Sequence, residues 1–523
     1  MLSFAAAKGI SLLQTVLIAR TFGVSAEYDA FVAANRLPEV IFNLIAGGAI
    51  AFAFIPVFTG LLAQKQSAQA WKTASHVVNN IFALTAVASL AAFIFAPSLM
   101  SSAIAPGLAP ENQRQSAEMM RILLLGTLIF SLSGVSMGIL QSHNRFLLPA
   151  LAPILYDVGI LIGVIVLLPS MGIYGLAWGA VLGAAMHLGV QLPGLARIGL
   201  RWAPEFGWRD ANLRQIVVLF LPRAADLALI SLSTIILTNL LTRLGTGATS
   251  AFDWGWRLMQ IPQTLIGTAM GIVIFPTLAA LSTLGDTDGK RSAMSGALRF
   301  ILVATIPSAV LLLTAGRPLL SLLEGGAFDA EASGLVFIAL QFFCIGIIVH
   351  SMLEVIARSF YADKDTLTPL LVAAGGAAIN IGVALVFSGV LTGDVRPENV
   401  GWLALSNTLG VAFEVAALGY MLRRRWAGIE GQSLLRAVLK TLVASALMGA
   451  AVLGVEAAFR AAGLAERGAL WTIIMLAVCA AAAAVVFVGA AWLLRMEEVR
   501  ALIVQGVARA RARLARQPSG AAA

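Results

Sequence analysis

The sequence predicts an all-α integral membrane protein with about 14 transmembrane helices: two parallel six-helix lobes followed by two additional helices. Three observations lead there. Hydrophobic residues make up 59% of the 523 and charged residues 12%, with a mean hydropathy of +0.90. A soluble chain carries about 25% charged residues, enough to cover its surface with water-compatible groups. Apolar runs of helix-spanning length recur to the end of the chain, and two groups of short motifs recur at one fixed interval.

The runs fall at 2–19, 30–63, 73–97, 118–141, 149–168, 172–195, 214–242, 250–280, 293–315, 333–358, 367–391, 400–422, 436–458 and 469–494. A helix needs about 20 apolar residues to cross the hydrocarbon core, and longer runs tilt or extend past it. The first run lacks a small-residue cleavage site, so it reads as a span rather than a removed signal. Glycine is abundant, at 49 residues, as suits helices that approach closely in lipid.

Lys and Arg fall mainly in alternate loops: Lys65 and Lys72; Arg145; Arg197, Arg201 and Arg209; Lys290 and Arg291; Lys364; and Arg423, Arg424 and Arg425. The intervening loops hold mostly single cations, Arg114, Arg317 and Arg396. The positive-inside rule then places both termini in the cytoplasm. The tail carries Arg495, Arg500, Arg509, Arg511, Arg513 and Arg516. Its stripe of Val499, Leu502, Ile503 and Val507 fits either an interfacial helix or a solvated basic tail.

Arg36-Leu-Pro-Glu, Gly47-Gly48 and Phe54-Ile55-Pro56 in the second run correspond to Arg257 through Pro262, Gly267, Gly271 and Phe275-Pro276 in the eighth. The step from Pro56 to Pro276 equals the step from Pro149 to Pro369 in a second matched pair of strings. A duplicated six-span unit follows, and because six is even both copies share one orientation. The expected divisions are a first lobe at 1–200, a second at 201–428, two further helices at 429–495 and a basic tail at 496–523.

Charges inside spans are costly in lipid, so each marks a functional hypothesis. Lys8, Arg36, Arg223 and Arg257 come from the first two spans of each repeat, and together they suit an anionic substrate such as a pyrophosphate. Asp29 lies at the edge of span two. Arg36 with Glu39 and Arg223 with Asp226 are spaced i,i+3, and Asp253 with Arg257 i,i+4, so each pair could equally neutralise itself on one helix face. Asp226, Asp253, Glu354, Asn380 and Glu414 are candidate ion or gating residues, or helix-to-helix hydrogen bonders.

Other classes are excluded by what the residues do not form. The cations are dispersed between spans rather than gathered in a patch, which argues against nucleic acid. Cys344 and Cys479 lie in separate apolar runs, and His76, His143, His187 and His350 show no metal-ligand spacing. No phosphate-binding Gly-Lys-Ser/Thr loop is present. An enzyme is not expected, nor a cofactor or metal.

Ala19-Arg20-Thr-Phe22-Gly23, Tyr28-Asp29-Ala30-Phe31, Arg36-Leu37-Pro38 and Phe54-Ile55-Pro56 resemble the MurJ/MviN family of lipid II flippases, within the multidrug/oligosaccharidyl-lipid/polysaccharide exporter superfamily. Asn144-Arg145-Phe146 with Pro149 and Pro153, Arg257-Leu258-Met259 with Pro262, and Phe360-Tyr361 with Lys364 and Thr368-Pro369 extend the resemblance over the chain as far as about Arg425. It implies alternating access that moves undecaprenyl-pyrophosphoryl disaccharide-pentapeptide between leaflets. Lys8, Arg36 and Arg257 would engage the pyrophosphate and Asp29 would gate or orient them. Membrane lipids and cell-wall synthesis or division proteins are the implied partners. The family's first-helix Arg-Asp pair is replaced by Gln14-Thr15, its second-helix arginine falls near Phe42-Asn43, and its glutamate at Gly47. Export of another polyprenyl-linked oligosaccharide and a non-transporting scaffold remain alternative readings.

Overall fold

The computed structural model describes residues 2–46, 48–464 and 468–500, with the side chains of 2–9, 12, 46–52, 222–223 and 226 also outside the description. The expected interfacial stripe of the tail lies largely outside the described residues. In order the helices are α1 (Leu2–Phe22), α2 (Ala26–Ile41), α3 (Gly48–Ala63), α4 (Ser67–Ser98), α5 (Pro110–Ser142), α6 (Leu147–Ile162), α7 (Leu168–Met171), α8 (Tyr174–Gly189) and α9 (Leu192–Arg197). The series continues with α10 (Ala211–Arg243), α11 (Ala248–Gln263), α12 (Ala269–Thr283), α13 (Thr287–Ser321), α14 (Ala330–Ala362), α15 (Leu367–Phe387), α16 (Val400–Arg425), α17 (Gly431–Ala461) and α18 (Ala469–Leu493).

Among the described residues, eleven helical segments are long and apolar enough to cross a membrane, so this is a multi-pass membrane protein. They fall on predicted spans three to six and eight to fourteen. Predicted spans one, two and seven fall on α1, on α2 with α3, and on α10. The last two contain the shorter apolar stretches Ala53–Ala63, Ala211–Leu221 and Leu227–Arg243.

The interval between the sequence motifs is visible in the backbone. Helices starting at Ser67, Pro110 and Leu147 are matched, one such interval later, by helices starting at Thr287, Ala330 and Leu367. Lys65 and Gly285 end α3 and α12 in the left-handed conformation, and Asn144 and Lys364 do the same after α5 and α14. The matched Asn144 and Lys364 strings are therefore turns that stop a helix, a role left-handed residues commonly play. Spans two and eight are both broken by a wide π turn, Phe42–Ala46 and Thr264–Thr268, shortly after Pro38 and Pro262. Proline removes the hydrogen bond to the preceding turn, which is the physical cause of such a break.

Two compact units emerge from the contacts: residues 1–253, 323–336 and 377–403, and residues 254–322, 337–376 and 404–523. Helices α11, α14, α15 and α16 each contribute turns to both. The first unit has a core around Phe54, Phe58, Trp71, Val135, Ile139 and Leu140. The second has one around Leu278, Met294, Leu298, Val355 and Phe360. Phe58, Val135 and Leu140 are the repeat counterparts of Leu278, Val355 and Phe360, so the two copies bury equivalent positions. Helices α6 and α8 meet backbone to backbone. A Cβ on Gly159 would lie 2.2 Å from Gly183 Cα, and one on Gly163 would lie 2.6 Å from Gly179 Cα. This is the small-residue packing expected where no hydrophobic force acts between helices.

Candidate functional site

Asp29 sits in the first turn of α2, which Ser25 caps by accepting a hydrogen bond from the Tyr28 N–H at 3.2 Å. That cap fixes the start of the helix and turns Asp29 inward, where it is fully buried. Its carboxylate reaches across to the start of α11, in the other repeat. It accepts from the Gly247 N–H at 2.6 Å, the Ser250 N–H at 2.7 Å and the Ser250 hydroxyl at 2.5 Å. The first N–H groups of a helix have no partner within the helix and carry partial positive charge, so a buried carboxylate satisfies both needs. One repeat thus supplies the cap for a helix of the other.

Further joins between the repeats lie nearby, all within the first unit. The Ala327 N–H donates to the Arg20 carbonyl at 2.8 Å, so the loop before α14 docks on the end of α1. Gly23 and Gly326 make this approach possible. Both have positive φ, and a Cβ would stand 2.1 Å from the Ala327 oxygen or 2.2 Å from the Arg20 oxygen. Asn239 on α10 donates to the Ala103 carbonyl at 2.8 Å. These joins occur at helix ends opposite the Lys- and Arg-rich loops.

Arg36, two turns further along α2, is 13% exposed. Its guanidinium donates to Thr238 Oγ1 at 3.1 Å and lies 3.5 Å from both Glu39 and Asp253. The Arg36–Glu39 pairing within α2 therefore forms, and a pairing with Asp253 of α11 is added to it. The sequence spacing had offered Asp253 as a partner for Arg257 on the same helix. Tertiary structure also brings it to Arg36 from the other repeat.

In the second unit, Arg257 is exposed, with its guanidinium 6.0 Å from the Trp254 ring centroid. Glu354 on α14 accepts from Thr268 Oγ1, in the π turn, at 3.1 Å and pairs with Arg358 one turn on. Gly271 leaves room for that guanidinium against α12. His350, a turn earlier, contacts Asn407 Oδ1 at 3.1 Å and meets the Trp256 ring edge-on. The sequence reading singled out Glu354 but missed Arg358, which ends its apolar run and reads there as a flanking charge. Glu414 lies against α15, where a Cβ on Gly376 would come within 2.6 Å of its carboxylate. Asn380 is buried on α15 in the first unit. The side chains of Lys8, Arg223 and Asp226 lie outside the described residues. Among the described residues, no group of three or more His, Cys, Asp or Glu could hold a metal ion.

The loop after α14 staples its neighbours. Asp363 accepts from Lys290 at 2.7 Å and Ser282 at 2.5 Å, and Asp365 pairs with Arg425 at 2.7 Å. Partial burial would raise the Asp365 carboxyl. The Thr368 N–H and hydroxyl, together with the Arg425 guanidinium, outweigh it and hold the carboxyl below its ordinary value of 3.8. A depressed carboxylate pKa contributes stability that is full above the ordinary value and lost as pH falls through the folded one. Asp365→Asn is therefore expected to lower Tm by about 2 °C near neutral pH, for a half-exposed pair of about 1 kcal/mol. The gap to the parent should close as pH falls below about 4. Thermal unfolding in detergent across that range checks it, and a gap independent of pH would remove the ionic account.

The family model described as Lipid II flippase MurJ matches residues 18–493. A Lipid II flippase MurJ of Burkholderia cenocepacia is 29% identical over 467 residues, covering 82% of this chain and 90% of that one. A probable lipid II flippase MurJ of Thermotoga maritima is 25% identical, covering 95% of each. Among solved structures, a lipid II flippase MurJ in an inward closed conformation aligns with a TM-score of 0.77 at 21% identity, covering 96% of this chain and 99% of that one. An inward-facing MATE transporter of the MOP superfamily aligns with a TM-score of 0.66 at 15% identity, covering 81% and 95%. The repeat of helices, their joined ends and a match over nearly the whole chain agree: this protein belongs to the lipid II flippase MurJ family.

Proposed function

We propose that the protein moves lipid II from the inner to the outer leaflet of the bacterial cytoplasmic membrane by alternating access. It would act without a cofactor, with both termini in the cytoplasm. The observation that carries this reading is the buried Asp29 cap on α11, a polar join between repeats at one end of the helices. A transporter that alternates needs such a join. It must be specific enough to close one side and polar enough to be replaced by water when that side opens. Lys8, Arg36 and Arg257 are the cations assigned to the pyrophosphate. The substrate's negative charge makes membrane potential an influence, at about 2.3 kcal/mol per charge per 100 mV. Cell-wall synthesis or division proteins are the expected neighbours.

Arg36 has two anionic claims on it: the Asp253 carboxylate now beside it and the substrate phosphate. Exchange of one for the other would link substrate arrival to loosening of the closed end. The test is rescue of cells depleted of their own lipid II flippase. Wild type should restore growth, and failure despite verified membrane expression would overturn the substrate assignment. Asp253→Asn should cut rescue about tenfold, as expected when a charge-assisted hydrogen bond worth about 1.5 kcal/mol is lost. In the double variant Arg36→Asp with Asp253→Arg, thermal stability should return but rescue should not, because the cation now stands on α11. Recovery of both would restrict Arg36 to closure.

A second reading, export of a different polyprenyl-linked glycan, draws on the π turn after α2. Phe42 there packs on Phe130 at 5.1 Å, near the place where the resemblance expects a second-helix arginine. Vesicle transport of lipid II against other polyprenyl-linked glycans separates the two.

A further inference from the structure

The segment joining the two repeats, residues 198–210, is pinned to α4 by a ladder of side chains. The Ala203 N–H donates to Ser75 Oγ at 3.1 Å. Asn79 donates to the carbonyls of Ala203 and Glu205 at 2.8 and 2.7 Å, and Asn80 to that of Phe206 at 2.6 Å. His76 lies 2.8 Å from Asp210, whose other oxygen caps α10 by accepting from the Asn212 N–H at 2.9 Å. Gly207, at φ +59°, lies so close to His76 that a Cβ would overlap the imidazole. An irregular loop held this firmly presents a fixed outer face.

The segment exposes both aromatic rings and cations. Trp208 is 81% exposed, Trp202 60% and Phe206 41%, with the Phe206 and Trp208 rings stacked at 6.1 Å. The Trp202 indole N–H is satisfied by Asn79 at 2.9 Å, leaving its ring outward. Charge is sorted in the same sense. Glu205 faces Lys72 and His76, and Asp210 is spent on His76 and Asn212. Arg201 and Arg209 in the segment are exposed, as are Arg197 and Arg214 on the helices that flank it.

We infer that this segment is a membrane-surface anchor: its rings sit at the headgroup–acyl boundary and its arginines pair with anionic lipid phosphates. Amphipathic aromatic rings favour that depth, and each nearby cation adds about 1 kcal/mol toward an anionic leaflet. The segment lies between predicted spans six and seven, at the edge of the bilayer. Its acids are paired with Lys72 and His76 on α4, so the net charge it presents is positive and complements anionic lipid rather than a basic partner. The anchor does not depend on which lipid-linked substrate is carried.

The test places a cysteine at Trp208, in a background where Cys344 and Cys479 are alanine, and labels it with a fluorophore in nanodiscs. In discs containing anionic phosphatidylglycerol, a quencher attached high on the acyl chain should quench the label. Aqueous iodide should quench it at least about threefold less than the unfolded, labelled chain. Asn79→Ala with Asn80→Ala should release the segment and raise iodide quenching, while the distance between labels on α4 and α5 reports that the bundle stays folded. In discs of phosphatidylcholine alone the shielding should weaken. Full iodide access with no lipid quenching in anionic discs overturns the anchor, as does shielding that appears only when a soluble protein is added.

Discussion

Asp29→Ala is expected to abolish rescue of flippase-depleted cells while the protein still reaches the membrane. The change strands the Gly247 and Ser250 N–H groups and the Ser250 hydroxyl, all now satisfied by one buried carboxylate. Each stranded group costs about 1–3 kcal/mol, so the join loses on the order of 5 kcal/mol. The two states of an alternating transporter typically differ by only a few kcal/mol, and a loss of that size empties one of them. Asn at this position keeps one acceptor oxygen and should retain partial rescue, about tenfold down. A cysteine placed at Val24 should become more reactive toward an impermeant maleimide in the alanine variant. Wild-type growth with unchanged reactivity would show that Asp29 does not hold the end closed.

Arg257→Ala is the second large effect, and its signature should be the opposite. The side chain is exposed, and the contacts of an exposed arginine are worth about 1 kcal/mol or less, so its loss should lower Tm by no more than about 2 °C. Transport of lipid II into the outer leaflet of vesicles should fall about a hundredfold, as expected when a phosphate loses a charge-assisted donor in a low-dielectric setting. Arg257→Lys should recover part of it, since an ammonium supplies charge but not a planar two-donor fork. Wild-type transport by the alanine variant would take Arg257 out of the substrate path. A fall in Tm matching the loss of activity would assign it to folding instead.

Much of the architecture was legible in the sequence because lipid imposes strict local rules. A span must be apolar for about twenty residues, and its backbone must bond within itself. The eleven apolar segments therefore fall where composition put them, and the motif interval reappears in helix starts, left-handed caps and core positions. The breaks in spans two and eight had their cause in Pro38 and Pro262, yet a run of apolar residues does not show where a ladder widens into a π turn.

Charge partners were less legible. Spacing along one helix found Arg36 with Glu39, since i and i+3 share a face. It could not find Arg36 with Asp253, nor the bond from Asp29 to the head of α11, because neither separation has any period.

What the sequence determined by itself was the membrane class, the helical runs, the repeat and the residues whose charge sits where lipid disfavours it. Tertiary structure decided what those charges do. Asp29, an acid at a span edge, became the cap of a helix in the other repeat, and Arg36 became part of a cross-repeat pair. Apolar length is a local property that the chain carries residue by residue. Electrostatic partnership depends on distances of a few ångströms between segments far apart in the chain, and only the packed helices set those distances.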